Sequence, residues 1–220
     1  MPELPEVETV ARLVRPHLVG RTITGARVQW PRSLGGLSRA AVTAAVRVSR
    51  VTAVDRRGKH VRIHLQRDGN AHGALVVHLR MTGRLHVDPP DADAPYLRVA
   101  LPLDDGRELR FVDVRKFGRC VWTPDPARFL AHLGREPLDD AFTVEWFAAE
   151  LAARRRALKP LLLDQEVVAG LGNIYVDEAL HAAGLHPLRR SDRVPRARAA
   201  ALHAAIREVL TEAIRREGSS

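Results

Sequence analysis

Thr123-Pro124-Asp125-Pro126 marks the point at which the character of the sequence changes. Before it, short apolar runs are separated by turn residues such as Asp68-Gly69-Asn70, a pattern typical of antiparallel strands. After it, apolar residues recur at helical spacing. The sequence therefore predicts an α+β fold with an N-terminal antiparallel β-sandwich over residues 1–133 and a helical domain over residues 134–220.

The predicted elements follow this division. A leading helix is expected over residues 5–18, where the valines and Leu18 share one face and Gly20 can end the helix. The expected strands are residues 22–30, 46–54, 60–66, 75–87, 97–103, 108–114 and 120–123. The expected later helices are residues 126–133, 144–153, 157–163, 174–183 and 196–216.

The charge of the chain indicates a polyanionic partner. The net charge is +9, the isoelectric point is about 10.9, and 45% of the residues are hydrophobic, so a core can form. Nucleic acid is the first candidate, and an anionic membrane surface is the second. Only three of the basic residues are lysine, so an arginine-rich genome is an alternative source of the charge.

The single cysteine and the lack of long apolar runs indicate the cellular compartment of the protein. Cys120 is the only cysteine, so neither an internal disulfide nor a cysteine-based zinc site can form within these 220 residues. No signal pattern and no long apolar run is present. We therefore expect a cytoplasmic protein that does not span a membrane.

The opening Met1-Pro2-Glu3-Leu4-Pro5-Glu6 combines a potential nucleophile with carboxylates. If Met1 is removed, the nitrogen of Pro2 becomes a free amine that can attack an electrophilic carbon. An α-amine titrates near pH 8, so a useful fraction is unprotonated at neutral pH. Glu3 and Glu6 could then move protons. The alternative is that the segment merely begins a helix.

Three further segments combine turns with residues suited to DNA. Residues 56–60 form a basic hairpin tip whose cations suit phosphate, with a solvated basic turn as the alternative. Met81 and Phe117 lie beside arginines near turns, as wedges that push between bases do, although each could instead pack in a core. Residues 170–175 form a glycine-rich turn before a helix, which predicts either an anion site or a tight turn.

Taken together, these segments resemble the bacterial formamidopyrimidine-DNA glycosylase family. The resemblance implies excision of oxidised purines such as 8-oxoguanine, and a helix-two-turn-helix DNA-binding unit over residues 157–175. It also implies cleavage of the strand at the resulting abasic site. The stretches that carry it, in family order, are residues 2–9, 57–59, 78–85, 113–118, 134–142 and 154–187.

The resemblance assigns the catalytic roles. Pro2 would attack C1′ of the damaged nucleoside, and Glu3 would act as acid and base, protonating the sugar oxygen. Lys59 matches a hairpin lysine assigned to phosphate contact and proton transfer. Glu6 and Glu178 match residues that line the lesion pocket.

The resemblance also implies that the protein is a monomer and that it binds damaged double-stranded DNA. Met81, Arg115 and Phe117 match the residues that fill the gap left by a flipped base. Tyr96 stands where many members have a DNA-contacting histidine. The phosphate-binding positions of the family correspond to Arg154, Lys159 and Asn173.

The main departure from the family lies at the C-terminus. Members continue into a lesion-recognition loop and a four-cysteine zinc finger, whereas this sequence ends at Glu217-Gly218-Ser219-Ser220. We therefore expect no zinc or other cofactor, whether the chain is a shortened form or a natural member without the finger. Two alternatives stay open: an oxidised-pyrimidine glycosylase of the endonuclease VIII type, and a catalytically impaired module that only binds damaged DNA.

Overall fold

The structure is a computed structural model that describes residues 1–91 and 93–218. The chain folds as two compact units: Met1–Pro2 with Val7–Leu130, and Glu3–Glu6 with the described residues from Ala131 onward. Helix α1, Leu4–Leu18, therefore begins in the second unit and continues in the first. Residues 219–220, at the end of the predicted second domain, lie outside the described residues.

The first unit is an antiparallel β-sandwich. One sheet has the strand order β1-β3-β4-β5-β9 and the other has the order β2-β7-β8-β6. Apolar residues from both sheets, among them Val61 and Ile63 of one and Phe111 of the other, form a common core. Its strands are Thr22–Ile23 (β1), Arg27–Val28 (β2), Ser49–Arg57 (β3), His60–Arg67 (β4), Asn70–His78 (β5), Gly83–Asp88 (β6), Leu97–Pro102 (β7), Glu108–Asp113 (β8) and Arg119–Thr123 (β9).

The second unit is helical and has its own apolar core. Helices α4 to α7 agree with the predicted ones to within about one residue at each end. Together with the sandwich, they confirm the predicted α+β fold with a leading helix. Their bounds are Val144–Ala153 (α4), Leu158–Leu162 (α5), Asn173–Ala182 (α6) and Arg196–Arg215 (α7).

Two predicted strands are wrong because each is divided between the two sheets. Residues 22–30 form β1 and β2, and residues 75–87 form β5 and β6. The second break occurs at Arg80, whose φ of 55° is rare for a residue with a side chain. The nearest turn residue is Gly83, three positions later, so the turn rules indicate a turn near Met81 but do not place the break at Arg80.

The helices around the sandwich also differ from expectation. Helix α2, Arg39–Val46, was not predicted, and the strand expected from residue 46 begins at Ser49. The side chain of Ser38 caps α2 by accepting a hydrogen bond from the amide of Ala41. The helix expected over residues 126–133 is the single turn Pro126–Phe129 (α3). Among the described residues, no helix is long and apolar enough to cross a membrane.

Candidate active site and nucleic-acid interface

The carboxylate of Glu3 lies on the N-terminus of α6. It accepts hydrogen bonds from the amides of Gly172 at 2.7 Å, Ile174 at 3.0 Å and Tyr175 at 3.4 Å. These amides have no partner within the helix, and the helix dipole favours a negative charge there. The turn is therefore an anion site, as one interpretation of the sequence proposed, but its anion is a side chain of the same chain.

Two glycines make room for this contact. A Cβ on Gly172 would lie 2.4 Å from Oε1 of Glu3, and a Cβ on Gly170 would lie 2.7 Å from Cδ1 of Leu4. Gly170 also has a φ of 93°, and its carbonyl accepts a hydrogen bond from the amide of Leu4 at 3.0 Å. Residues 3–4 are thus held along the turn that precedes α6.

Glu6 secures the same segment from a second direction. Its Oε2 accepts a hydrogen bond from the amide of Glu3 at 2.9 Å, and its Oε1 accepts one from the hydroxyl of Tyr175 at 2.6 Å. Tyr175 also lines a cavity of about 850 Å³ together with Glu178. Tyr175, which was not among the predicted site residues, therefore bonds to Glu6 and lines the same cavity as Glu178.

Pro2 lies beside two of the other predicted site residues of the first unit. It lines a cavity of about 670 Å³ together with Met81 and Tyr96. Tyr96 has a φ of 60° and is 56% exposed, so its ring is open to a ligand. Met1 precedes Pro2 in this structure, so the nitrogen of Pro2 is an amide that cannot act as a nucleophile until Met1 is removed.

Lys59 lies at the tip of the hairpin between β3 and β4, and it is only 5% exposed. Gly58 supplies the positive φ, 55°, that the tight turn requires. Arg56 holds the hairpin against α1, because its guanidinium pairs with Glu8 at 3.2 Å and donates to the carbonyl of Gly58 at 3.1 Å. The interpretation of this segment as a solvated basic turn is therefore wrong for Lys59.

His78 is a neutral group beside this hairpin. Burial, together with the charges of His60, Arg80 and Lys59, lowers the pKa of His78 to about 3. The rings of His60 and His78 meet edge to face at 4.6 Å. Nδ1 of His78 accepts a hydrogen bond from the amide of Arg80 at 3.0 Å, which requires that nitrogen to be unprotonated.

Met81, Arg115 and Phe117, the three residues predicted to fill a gap in DNA, form one exposed cluster. The guanidinium of Arg115 lies 3.1 Å from Sδ of Met81 and 4.8 Å from the ring centroid of Phe117. Met81 is 49% exposed and Phe117 is 50% exposed. The alternative that they pack in the core is therefore wrong.

The three predicted phosphate-binding residues lie in the second unit. Arg154 pairs with Glu150 and Lys159 pairs with Asp177, each at 2.7 Å. Asn173 is exposed at the first position of α6. Both ion pairs are partly exposed and are worth little in water, so a phosphate can replace either carboxylate at small cost.

Comparison with known proteins identifies the family. The model described as the formamidopyrimidine-DNA glycosylase N-terminal domain matches residues 1–120, and that of the formamidopyrimidine-DNA glycosylase H2TH domain matches residues 133–220. This chain belongs to the formamidopyrimidine-DNA glycosylase family. It is therefore a DNA glycosylase of base excision repair, and the predicted enzyme class and helix-two-turn-helix unit are confirmed.

Individual relatives match this chain over nearly its whole length. The formamidopyrimidine-DNA glycosylases of Chloroflexus aggregans and Herpetosiphon aurantiacus are 49% and 43% identical to it; each match covers all of this chain and 80% and 81% of the relative. The Lactococcus lactis enzyme, solved non-covalently bound to DNA containing an abasic site, is 31% identical with a TM-score of 0.89. That match covers 99% of this chain and 83% of the other. The roles of individual residues stay predictions.

The Glu3 contact gives a test of stability in this glycosylase. Gly172→Ala should lower the free energy of unfolding by about 2–4 kcal/mol, because the new methyl group displaces the carboxylate and leaves buried amides unpaired. Gly25→Ala is the control, since no atom lies within 4 Å of its Cβ, and it should change stability by less than about 0.5 kcal/mol. Urea unfolding of both variants measures the difference, and equal stabilities would contradict the contact.

His78 gives a test of pH dependence. Its pKa is about 3 in the folded state against about 6.5 in an unfolded chain, so the unfolded chain binds more protons between these values. The contribution of His78 to stability is therefore complete above pH 6.5 and is lost as the pH falls towards 3. NMR should show no titration of the His78 ring between pH 8 and pH 5, whereas it should titrate in urea. A midpoint near 6.5 in the native protein would contradict the burial.

Proposed function

We propose that this glycosylase excises oxidised purines from duplex DNA and then cleaves the strand, using the nitrogen of Pro2 as nucleophile once Met1 is removed. The observation that carries the proposal is the attachment of Glu3 to the N-terminus of α6 by three amide hydrogen bonds. A flexible N-terminus would be a poor nucleophile, whereas one whose next residue is fixed can be oriented towards a single carbon.

The chemistry follows from an unprotonated amine beside a carboxylate. The nitrogen of Pro2 attacks C1′ of the damaged nucleoside and gives its proton to the carboxylate of Glu3, while the bond to the base breaks and the departing base takes a proton from water. Glu3 then passes the proton it has accepted to the sugar ring oxygen as the ring opens to an iminium ion. The iminium acidifies the C2′ proton, so β-elimination breaks the C3′–O bond and δ-elimination then breaks the C5′–O bond.

Lys59 is suited to a phosphate beside the reacting sugar. The residue is only 5% exposed and lies on a hairpin fixed by Arg56 and Glu8, so it is oriented before DNA binds. A phosphate that reaches it forms a charge-assisted contact in a partly desolvated setting. This supports its assignment as a phosphate-contacting and proton-transferring residue.

The exposed cluster of Met81, Arg115 and Phe117 is suited to the space that a flipped nucleotide leaves. An apolar side chain and an aromatic ring replace lost stacking, and the guanidinium between them can bond to the unpaired base. Tyr96 would add a DNA contact beside Met81, while Arg154, Lys159 and Asn173 would bind phosphates. A MutM relative, 32% identical with a TM-score of 0.90, was solved with DNA containing carbocyclic 8-oxo-G.

Oxidised pyrimidines are a second candidate substrate class. One structure of the Lactococcus lactis enzyme, 33% identical to this chain, contains DNA with an oxidised pyrimidine. Competition between 8-oxoguanine and thymine glycol in matched duplexes separates the two classes. Faster excision of thymine glycol would overturn our choice of purines.

The partner, the compartment and the cofactor follow as proposals from this activity. We propose a monomer that acts on damaged double-stranded DNA in the bacterial cytoplasm, on the nucleoid. The proposed reaction uses an amine as nucleophile and a carboxyl group as acid and base, and it needs no cofactor. Among the described residues, no three His, Cys, Asp or Glu side chains come together in a way that could hold a metal ion.

Removal of Met1 provides the first test of the mechanism. Borohydride reduction on a duplex with 8-oxoguanine opposite cytosine should trap a covalent adduct, and intact-mass analysis should find only chains without Met1 in it. The untrapped fraction should hold any chains that retain Met1. An adduct that still carries Met1 would overturn the role of Pro2, and no adduct on this duplex or an abasic one would favour the binding-only alternative.

Phe117 provides a test of the interface. Phe117→Ala should slow excision from duplex DNA by about tenfold or more, because the energy of unstacking is no longer offset. The control is Phe129→Ala in α3, since Phe129 is also exposed, at 40%, and is no predicted site residue. Single-turnover excision rates of both variants measure the effect, and equal rates would contradict the wedge role.

A further inference from the structure

We propose that Asp113 is a positioning residue which, together with Thr82, couples the two turns that carry Met81, Arg115 and Phe117. This inference rests on the proposed function, because it concerns how the cluster enters DNA. Asp113 is the last residue of β8 and is 1% exposed. A buried carboxylate is costly unless hydrogen bonds compensate it, so its partners indicate what it does.

The side chain of Asp113 organises the turn over residues 114–118. Its Oδ2 accepts a hydrogen bond from the amide of Gly118 at 2.7 Å, and its Oδ1 accepts one from the amide of Arg115 at 3.2 Å. The two amides flank the segment from Arg115 to Phe117. Asp113 therefore holds both ends of the stretch that carries two of the three wedge residues.

Thr82 joins the second turn to this arrangement. Its hydroxyl donates a hydrogen bond to Oδ1 of Asp113 and accepts one from the amide of Arg115 at 3.1 Å. Thr82 directly follows Met81, so the hydroxyl fixes the position of Met81 relative to Arg115. The contact between Arg115 and Met81 can then exist before DNA is bound.

Backbone strain explains why the two turns need this support. Arg80, next to Met81, has a φ of 55°, and Lys116, between Arg115 and Phe117, has a φ of 62°. Residues with side chains rarely adopt this region, and they persist there only where surrounding contacts determine the conformation. The hydrogen bonds of Asp113 and Thr82 supply such contacts to both turns.

The backbone of Asp113 reaches a third turn. Its amide donates to the carbonyl of Tyr96 at 3.0 Å, and its carbonyl accepts from Nε of Arg98 at 2.8 Å. Tyr96 also has a left-handed backbone, with a φ of 60°. Asp113 thus contacts the turn of Met81, the turn of Tyr96 and the turn that carries Arg115 and Phe117.

Substitution by asparagine isolates the role of the carboxylate. Asp113→Asn keeps the shape of the side chain but replaces one acceptor oxygen with an NH₂ donor. That donor faces the backbone N–H of either Gly118 or Arg115, which is also a donor, so one hydrogen bond is lost in either orientation. Thr82→Val keeps the shape of Thr82 and removes the hydroxyl. Thr82→Ser keeps the hydroxyl and is the matched control.

Two measurements on the full chain separate wedge positioning from chemistry. We expect single-turnover excision of 8-oxoguanine from duplex DNA to fall about tenfold or more in Asp113→Asn, several-fold in Thr82→Val and less than about twofold in Thr82→Ser. Borohydride trapping on a single-stranded abasic oligonucleotide, in which no base is flipped, should stay within about twofold of the parent chain for all three.

A third measurement does not depend on chemistry. The fluorescence of 2-aminopurine opposite the lesion reports insertion of the wedge, and its change on binding should be reduced in Asp113→Asn and Thr82→Val and retained in Thr82→Ser. Unchanged fluorescence and excision in the first two variants would overturn the inference, as would an equal loss of single-strand trapping. Absence of any adduct with the parent chain would instead overturn the proposed function, while the fluorescence would still decide the role of Asp113.

Discussion

The carboxylate of Glu3 on the N-terminus of α6 is the interaction on which the proposed chemistry depends. A helix N-terminus presents amides without partners and a partial positive charge, and here an acidic side chain from the start of the same chain occupies it. The glycines before α6 have no side chain because Glu3 and Leu4 take that space. The residue that precedes Glu3 is therefore held where a flexible terminus would move freely.

A buried carboxylate that accepts hydrogen bonds from backbone amides also organises the sandwich unit. Arg80, Tyr96 and Lys116 have left-handed backbones next to the predicted DNA contacts or at them, and the buried Asp113 contacts each of these turns. Strain in exposed turns is maintained by buried polar groups, so the surface proposed to bind DNA is formed without DNA. Preorganisation of this kind lowers the entropic cost of binding.

The positive charge of the chain is only partly available to DNA. Arg56 donates hydrogen bonds to Glu8 and Gly58 and so stabilises the hairpin of Lys59. Arg154 and Lys159 instead pair with neighbouring carboxylates at the surface. Exposed pairs of this kind exchange readily with phosphate, while the more buried ones are structural. A net charge alone therefore indicates the class of partner but does not show which cations bind it.

The sequence by itself determined most of the strands, the later helices and the candidate residues Pro2, Glu3 and Phe117, because periodicity, turn residues and local motifs are properties of neighbouring positions. It did not determine where residues 75–87 break, since a left-handed arginine leaves no local mark. The bonds of Glu3 to residues 172–175 and of Thr82 to Asp113 were decided only by the tertiary structure. Such pairs are brought together by packing across long stretches of chain, and no spacing in the sequence specifies them.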